Sequence, residues 1–186
     1  METKLNIAEI LKDKPEGTKL WTDVFGSVTL YVVTDVCDAF QVKHHNKEPW
    51  FDKEGKLYRE GVLCIYPSNS MRDWSKFAWK KGDVLKNTAY EGRVIFDRFL
   101  NDDYTYFVAK HPLDSSNKDK VIYHEEYNCF TGNYCLESTN AAQAYINAIE
   151  EKLGGKLNMA TLEIEPTQSE FKDGDIVTAT SDFDSI

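Results

Sequence analysis

Two nearly identical phrases, FAWKKGDVL at Phe77–Leu85 and EFKDGDIV at Glu170–Val177, place the tightest constraint on how this 186-residue chain folds. In each, an aromatic residue is followed by charged residues, a Gly-Asp pair and then apolar residues. Glycine takes positive φ without steric cost and aspartate bonds nearby backbone, so Gly-Asp marks a turn. The apolar residues beyond it open a strand. Val84-Leu85, a turn near Tyr90-Glu91-Gly92 and Val94-Ile95-Phe96 read as strand–turn–strand. A weaker third instance lies in PEGTKLWTDVFGSVTLYVV, where Gly17 takes the place of Gly82 and Phe25-Gly26-Ser27 make the turn. Val28, Leu30 and Val32 then alternate as a half-buried return strand does. Gly17, Gly82 and Gly174 stand 65 and 92 residues apart, too irregular for a solenoid and suited to small β units with different insertions.

The sequence therefore predicts a mainly β fold with minor α: two small SH3-like barrels or sandwiches, a short N-terminal helix and one helix at about 141–153. Residues 1–77 form the first unit, residues 78–155 the second, and residues 156–186 a linker and the start of a third unit. That third unit stops at Ile186, where its return strand would begin, and so reads as truncated. In the first unit, Asn6-Ile7-Ala8-Glu9 resembles a capping box, with Ile7, Ile10 and Leu11 as the buried stripe and Pro15 and Gly17 as the stop. AFQVKHH, EPWF with the turn Asp52–Gly55, and KLYREGVLCIYP supply its further strands. In the second, strands are expected at 83–88, 93–99, 104–110, 120–126 and 133–137, with HPLDSSNKDK as an exposed loop. Ala141, Ala144, Tyr145, Ala148, Ile149 and Leu153 share one helical face, capped by Thr139 or Asn140 and ended by Gly154-Gly155. Residues 156–169 read as a strand fragment plus linker.

Composition narrows the function classes. Aromatic residues make up 13%, which favours pleated packing, and 41% apolar content can build a core without metals or disulfides. Thirty-one acidic against 22 basic residues give a net charge of −9. Lys76, Lys80 and Lys81 form the densest basic spot, which is too short to track phosphates, so nucleic-acid binding is disfavoured. Apolar runs near the length of a membrane span are absent from the sequence, and the N-terminus lacks the pattern of a signal peptide. The four cysteines, irregularly spaced, read as reduced thiols of a cytoplasmic protein.

Candidate chemistry is sparse. Cys129 and Cys135 could be joined by His124 as metal ligands, but five residues separate the cysteines and no second pair matches them. No metal and no cofactor are expected. His44 and His45 adjoin on a strand and so are expected to face opposite ways. Nucleophile-elbow, dinucleotide-binding and P-loop motifs are missing from the sequence, and Asp102-Asp103 and Glu125-Glu126 read as solvated acids. The unusual stretch is YPSNSMRDWSKFAW, Tyr66–Trp79. Ser70 with Asp73 resembles a cap on a single helical turn, and Arg72, Trp74, Phe77 and Trp79 crowd a guanidinium and three aromatics between the units. Trp and Arg dominate protein-binding hot spots, so Arg72, Trp74 and Trp79 are candidate binding residues, joined by Trp50 and Phe51. The competing reading makes Trp74 and Phe77 a wedge that clamps the two units.

The Pro67-Ser68 and Arg72-Asp73-Trp74 stretch, followed by KKGDVL and later by FKDGDIV, resembles uncharacterised proteins of gut Bacteroidales genomes and their phages and prophages. Those proteins share an opening similar to NIAEILKDKPEGTKLW, and residues 110–136 depart most from the pattern. The resemblance implies a phage-related origin and a longer multi-unit parent, and it carries no activity. The expected function is a non-enzymatic protein-binding or adaptor protein whose partner is a host or phage protein, held in an aromatic groove or by strand addition. The alternative is an anti-defence inhibitor whose acidic surface mimics nucleic acid.

Overall fold

The computed structural model describes residues 5–36, 38–58, 61–90, 92–112 and 122–166. The third Gly-Asp phrase and the expected third unit lie outside the described residues, as does most of the HPLDSSNKDK loop. The fold is mainly β with minor α, as the residue pattern indicates.

The first unit opens with α1 (Ile7–Lys12), whose N-terminus is capped by the Asn6 side chain accepting from the Glu9 N–H at 3.1 Å. Ile7, Ala8 and Leu11 bury the inner face of α1, with Ile10 packed at its margin. Strands β1 (Lys19–Thr22), β2 (Gly26–Thr34), β3 (Ala39–Lys43), β4 (Trp50–Phe51) and β5 (Ile65–Tyr66) make an antiparallel sheet in the order β4-β3-β2-β1-β5. Leu20, Val28, Leu30, Phe40, Val42, Phe51 and Ile65 point from it towards α1. Each such side chain contributes roughly 1.5–3 kcal/mol when fully removed from water.

A second five-stranded sheet follows in the chain. A short helix, α2 (Trp74–Phe77), precedes β6 (Val84–Asn87), β7 (Arg93–Phe99), β8 (Tyr106–Pro112), β9 (Ile122–Asn128) and β10 (Tyr134–Leu136), arranged as β9-β8-β7-β6-β10. The Gly phrases do the same work in both sheets. Gly17, at φ +86, donates its N–H to the Leu30 carbonyl at 2.8 Å, and Leu30 donates back to Thr18 at 2.8 Å. Gly82, at φ +93, donates to the Phe96 carbonyl at 2.9 Å, and Phe96 donates back to Asp83 at 2.8 Å. Asp83 further accepts from the Lys80 N–H at 2.7 Å. A bulge follows directly on each return strand, between Leu30 and Val32 and between Phe96 and Arg98. A positive-φ glycine therefore opens the first strand of each hairpin and ties its start to the middle of the return strand.

Unlike the first sheet, the second is covered on both faces. Leu85, Val94, Phe96, Phe107 and Tyr134 face an aromatic cluster. Val84 and Ile95 face α3 (Thr139–Leu153) and the hairpin of β11 (Gly155–Asn158) and β12 (Glu163–Pro166). Residues expected as strand plus linker thus form a second small antiparallel ribbon. Lys110 ties it to β8 by donating to the Thr161 and Leu162 carbonyls at 3.2 and 2.9 Å. α3 starts two residues earlier than its apolar stripe suggests, with Ser138 as N-cap, and Gly154 ends it at φ +69.

Closed barrels are not formed. Both five-stranded sheets are open, and β4 does not meet β5, nor β9 meet β10, among the described residues. The reason is packing: α1 and the 66–79 segment fill the concave side of the first sheet, and α3 with its ribbon backs the second. Helices and loops bury the apolar faces that closure would otherwise have to bury.

Candidate protein-binding groove

The stretch Tyr66–Trp79 threads between the two sheets and sends alternate side chains into both cores. Trp74 is 4% exposed, lies edge-on to Phe77 at 5.5 Å and donates its indole N–H to the Ile65 carbonyl at 3.1 Å. Phe77 meets Tyr104 at 4.8 Å and Phe99 at 6.4 Å, across the unit boundary. Met71 and Trp79 enter the second core, where Trp79 packs on Phe107 at 5.5 Å and Phe96 at 5.7 Å. Ser68 accepts from the Met71 N–H and donates to the Asp103 carbonyl, both close to 2.7 Å. Outside, Tyr104 donates to the Lys19 carbonyl at 3.1 Å and Lys19 pairs with Asp102.

The candidate residues separate by burial. Trp74 and Trp79 spend their rings inside the protein, and so does Phe51, fully buried and stacked on Phe40 at 5.5 Å. Trp50, one residue earlier on β4, is 38% exposed. Arg72 lies at the surface over the Tyr66 ring at 4.3 Å and pairs with Asp23 at 2.9 Å, which holds its guanidinium pKa above the ordinary value.

The outer face of the same stretch makes one wall of a groove of about 430 Å³. Asp73, Ser75, Lys76, Ala78 and Trp79 line it together with Asn133–Leu136 and Leu5. Of these, Tyr134–Leu136 form β10, an edge strand. Glu137 donates its N–H to Val84 at 2.9 Å, in register with Leu136 opposite Leu85. Antiparallel alternation then turns the N–H and C=O of Tyr134 and Leu136 away from β6, and no strand pairs with them among the described residues. In the first sheet the corresponding outward carbonyl is that of Ile65, opposite Thr22 as Tyr134 is opposite Asn87. There the Trp74 indole covers it.

Side chains around the groove favour contact. Leu136 is 56% exposed, and Leu5 and Phe130 are each nearly half exposed. The other end strand, β9, carries Glu125 and Glu126 on its edge, charges of the kind that discourage strand pairing. β10 carries Tyr134, Cys135 and Leu136, none of them charged. Also lining the groove, half-buried Lys76 donates to the Cys129 carbonyl at 2.7 Å and lies 5.6 Å from the Phe130 ring centre. A larger depression beside α3 is lined by Asn147, Glu150, Glu151, Gly154, Gly155 and Lys156, polar groups without an apolar floor.

Residues read as possible catalysts or ligands do not converge. Cys129 is buried and donates its thiol to the Tyr104 carbonyl at 3.2 Å, and burial pushes its pKa up to about 11. Cys135 belongs to the groove instead. No group of three His, Cys, Asp or Glu side chains is arranged to hold a metal among the described residues. His44 and His45 do not face opposite ways. His45 adopts φ +51 in a turn, leaving the strand alternation, and the two rings meet edge-on at 4.4 Å. No helix among the described residues is long and apolar enough to cross a membrane.

Of the candidate binding residues named from the sequence, Trp79 alone lines this groove; Leu5, Lys76, Tyr134 and Leu136 carry no local signal that would join them to it. The alternation over 133–137 signalled a strand; its position at the sheet edge is set by strand order, which no local pattern encodes. No family model matches the chain, and no curated protein or solved structure is similar to it.

Proposed function

We propose that the chain is a non-enzymatic protein-binding or adaptor protein that captures an extended segment of a host or phage protein by adding it as a strand to β10. The observation that carries the reading is the uncharged β10 edge, left unpaired among the described residues, lying beside an apolar groove. Backbone hydrogen bonds supply the affinity of such a mode and the adjoining groove its selectivity. The two units act as copies of one module: the first edge is occupied by the chain's own Trp74, the second is open to a partner. Resemblance to phage and prophage proteins of gut Bacteroidales supports a phage-related origin, and the irregularly spaced cysteines support a cytoplasmic site of action.

Nucleic-acid mimicry draws less support. It calls for unpaired carboxylates ranked on one face, whereas Asp13, Glu16, Asp23, Asp38, Asp97, Asp102, Glu137 and Glu150 each pair with lysine or arginine.

The test is a nuclease-treated capture from Bacteroidales lysate with the tagged chain, its Leu136→Pro form and its Leu136→Lys form. Proline at 136 removes an N–H that faces away from β6, so the sheet's own ladder is kept while an incoming strand loses a donor. A stoichiometric partner held by the native chain and lost from both folded variants supports strand addition. A partner retained equally by all three refutes it.

A further inference from the structure

Resting on that reading of the β10 edge, we propose that the segment it takes is acidic as well as apolar: an extended peptide carrying an aliphatic side chain and, two residues away on the same face, a carboxylate. The aliphatic group fits between the exposed side chains of Leu5 and Leu136, and the carboxylate meets Lys76.

Three observations carry the chemistry. First, Lys76 is the cation on the groove wall, and its interactions among the described residues are with a carbonyl and a ring, not a carboxylate. An ammonium bonded once to a carbonyl keeps two further N–H donors to offer. Second, the carboxylate nearest it along α2, Asp73, is already engaged as the helix cap, accepting from the Ser75 N–H at 2.9 Å. Asp73 keeps its charge but makes no ion pair with Lys76 among the described residues. Third, successive residues of an incoming strand point to opposite faces, so those that look into the groove are spaced by two. One aliphatic and one acidic side chain at that spacing satisfy floor and wall together. The chain's overall charge of −9 opposes an acidic partner at long range, but exposed charges are largely screened beyond about 8 Å at physiological salt. The contact inside the groove decides.

The probes are three capped heptapeptides read by fluorescence anisotropy against the full chain: Thr-Val-Thr-Leu-Thr-Asp-Thr, and the same peptide with asparagine or lysine in place of its aspartate. The aspartate peptide is expected to bind on the order of tenfold more tightly than the asparagine one, the factor of a single charge-assisted bond, and the lysine peptide more weakly still. In Lys76→Gln the discrimination should vanish, and in Lys76→Arg it should return. The arginine variant also guards against a general loss of fold, since Lys76 supports the Cys129 carbonyl. Equal binding of all three peptides, blocked by Leu136→Pro, overturns the acidic preference and leaves strand addition standing. No binding of any peptide to the native chain overturns both. Self-association of the chain that Leu136→Lys abolishes names a second copy as the occupant, and it also overturns the proposal.

Discussion

Trp74→Ala is the most informative single perturbation, because the segment that carries Trp74 joins the two sheets. The indole is 4% exposed, packs against Phe77 and holds the outward carbonyl of Ile65 at 3.1 Å. Truncating a buried tryptophan to alanine costs about 3–5 kcal/mol from lost transfer energy and the cavity left behind. Losing the hydrogen bond to Ile65 adds roughly 1 kcal/mol. Against a native stability of about 5–15 kcal/mol, that is a large fraction. For a chain of this size each kcal/mol moves the melting temperature by about 2–4 °C, so a fall of roughly 8–24 °C is expected. Trp74→Phe separates the two contributions: it keeps most of the ring volume, loses the N–H and should fall by only a few degrees. Trp50→Ala serves as the internal control, since that ring is 38% exposed at the end of β4 and surface truncations usually stay within about 0.5 kcal/mol. Differential scanning calorimetry with urea titration reads all three. If Trp74→Ala melts with Trp50→Ala, within a degree or two of the native chain, the wedge argument is refuted and Trp74 becomes a candidate contact residue instead.

Other expectations test separate parts of the structure. Gly17→Ala should lose about 1–2 kcal/mol from left-handed strain alone, because φ is +86 and a β-carbon there meets open space. Gly155→Ala should lose more in the same urea titration, because its β-carbon would fall on the Glu165 backbone and force the β11–β12 hairpin apart. Thiol labelling with iodoacetamide at pH 8 should modify Cys135 well before Cys129, which is buried with its pKa pushed up to about 11; equal rates would contradict the packing around Tyr104. Burial pushes the Tyr104 and Tyr145 hydroxyls up to about 12 from an ordinary value of 10.0. The folded chain therefore holds protons that the unfolded chain releases, so their contribution is complete below pH 10 and is lost as pH rises towards 12. Absorbance at 295 nm during alkaline titration should show Tyr104 and Tyr145 ionising late, alongside Tyr127 and Tyr134, whose hydroxyls burial also pushes up, with their release coinciding with unfolding.

Much of the fold could be read from local signals. Positive-φ glycines, the Asn6 cap, the alternation of Val28 with Leu30 and the apolar run Val94–Phe96 are short-range chemistry, and the elements they imply are present, though the bulge after Leu30 leaves Val32 exposed. Closure was not readable. Whether a five-stranded sheet rolls into a barrel depends on what packs against its concave face, and here α1 and the Trp74–Phe77 turn do so from sequence-distant positions. His45 shows the same limit at one residue: strand alternation fails where a turn needs positive φ. The groove lies further still from local pattern. Trp79 stood out by residue type, but Leu5 is 74 residues before it and Tyr134 is 55 after it, and only the assembled sheets bring them together.

The short helix α2 shows how a stability element and a binding element can occupy one turn of chain. Asp73 caps it, Trp74 and Phe77 point into the first core, and Ser75 and Lys76 line the groove. Residues on opposite faces of a helix share no side-chain contacts, so the two roles should separate in mutants. Trp74 variants should lower melting temperature and weaken binding only as far as they unfold the chain. Lys76→Gln should alter peptide selectivity with at most a small change in melting, since the carbonyl it supports lies at the exit of β9 and not within a sheet ladder. If Trp74→Phe, still folded, lost peptide binding while Lys76→Gln kept it, the division of labour would be reversed. The indole at the first edge, not the ammonium beside the second, would then be the group that partners read.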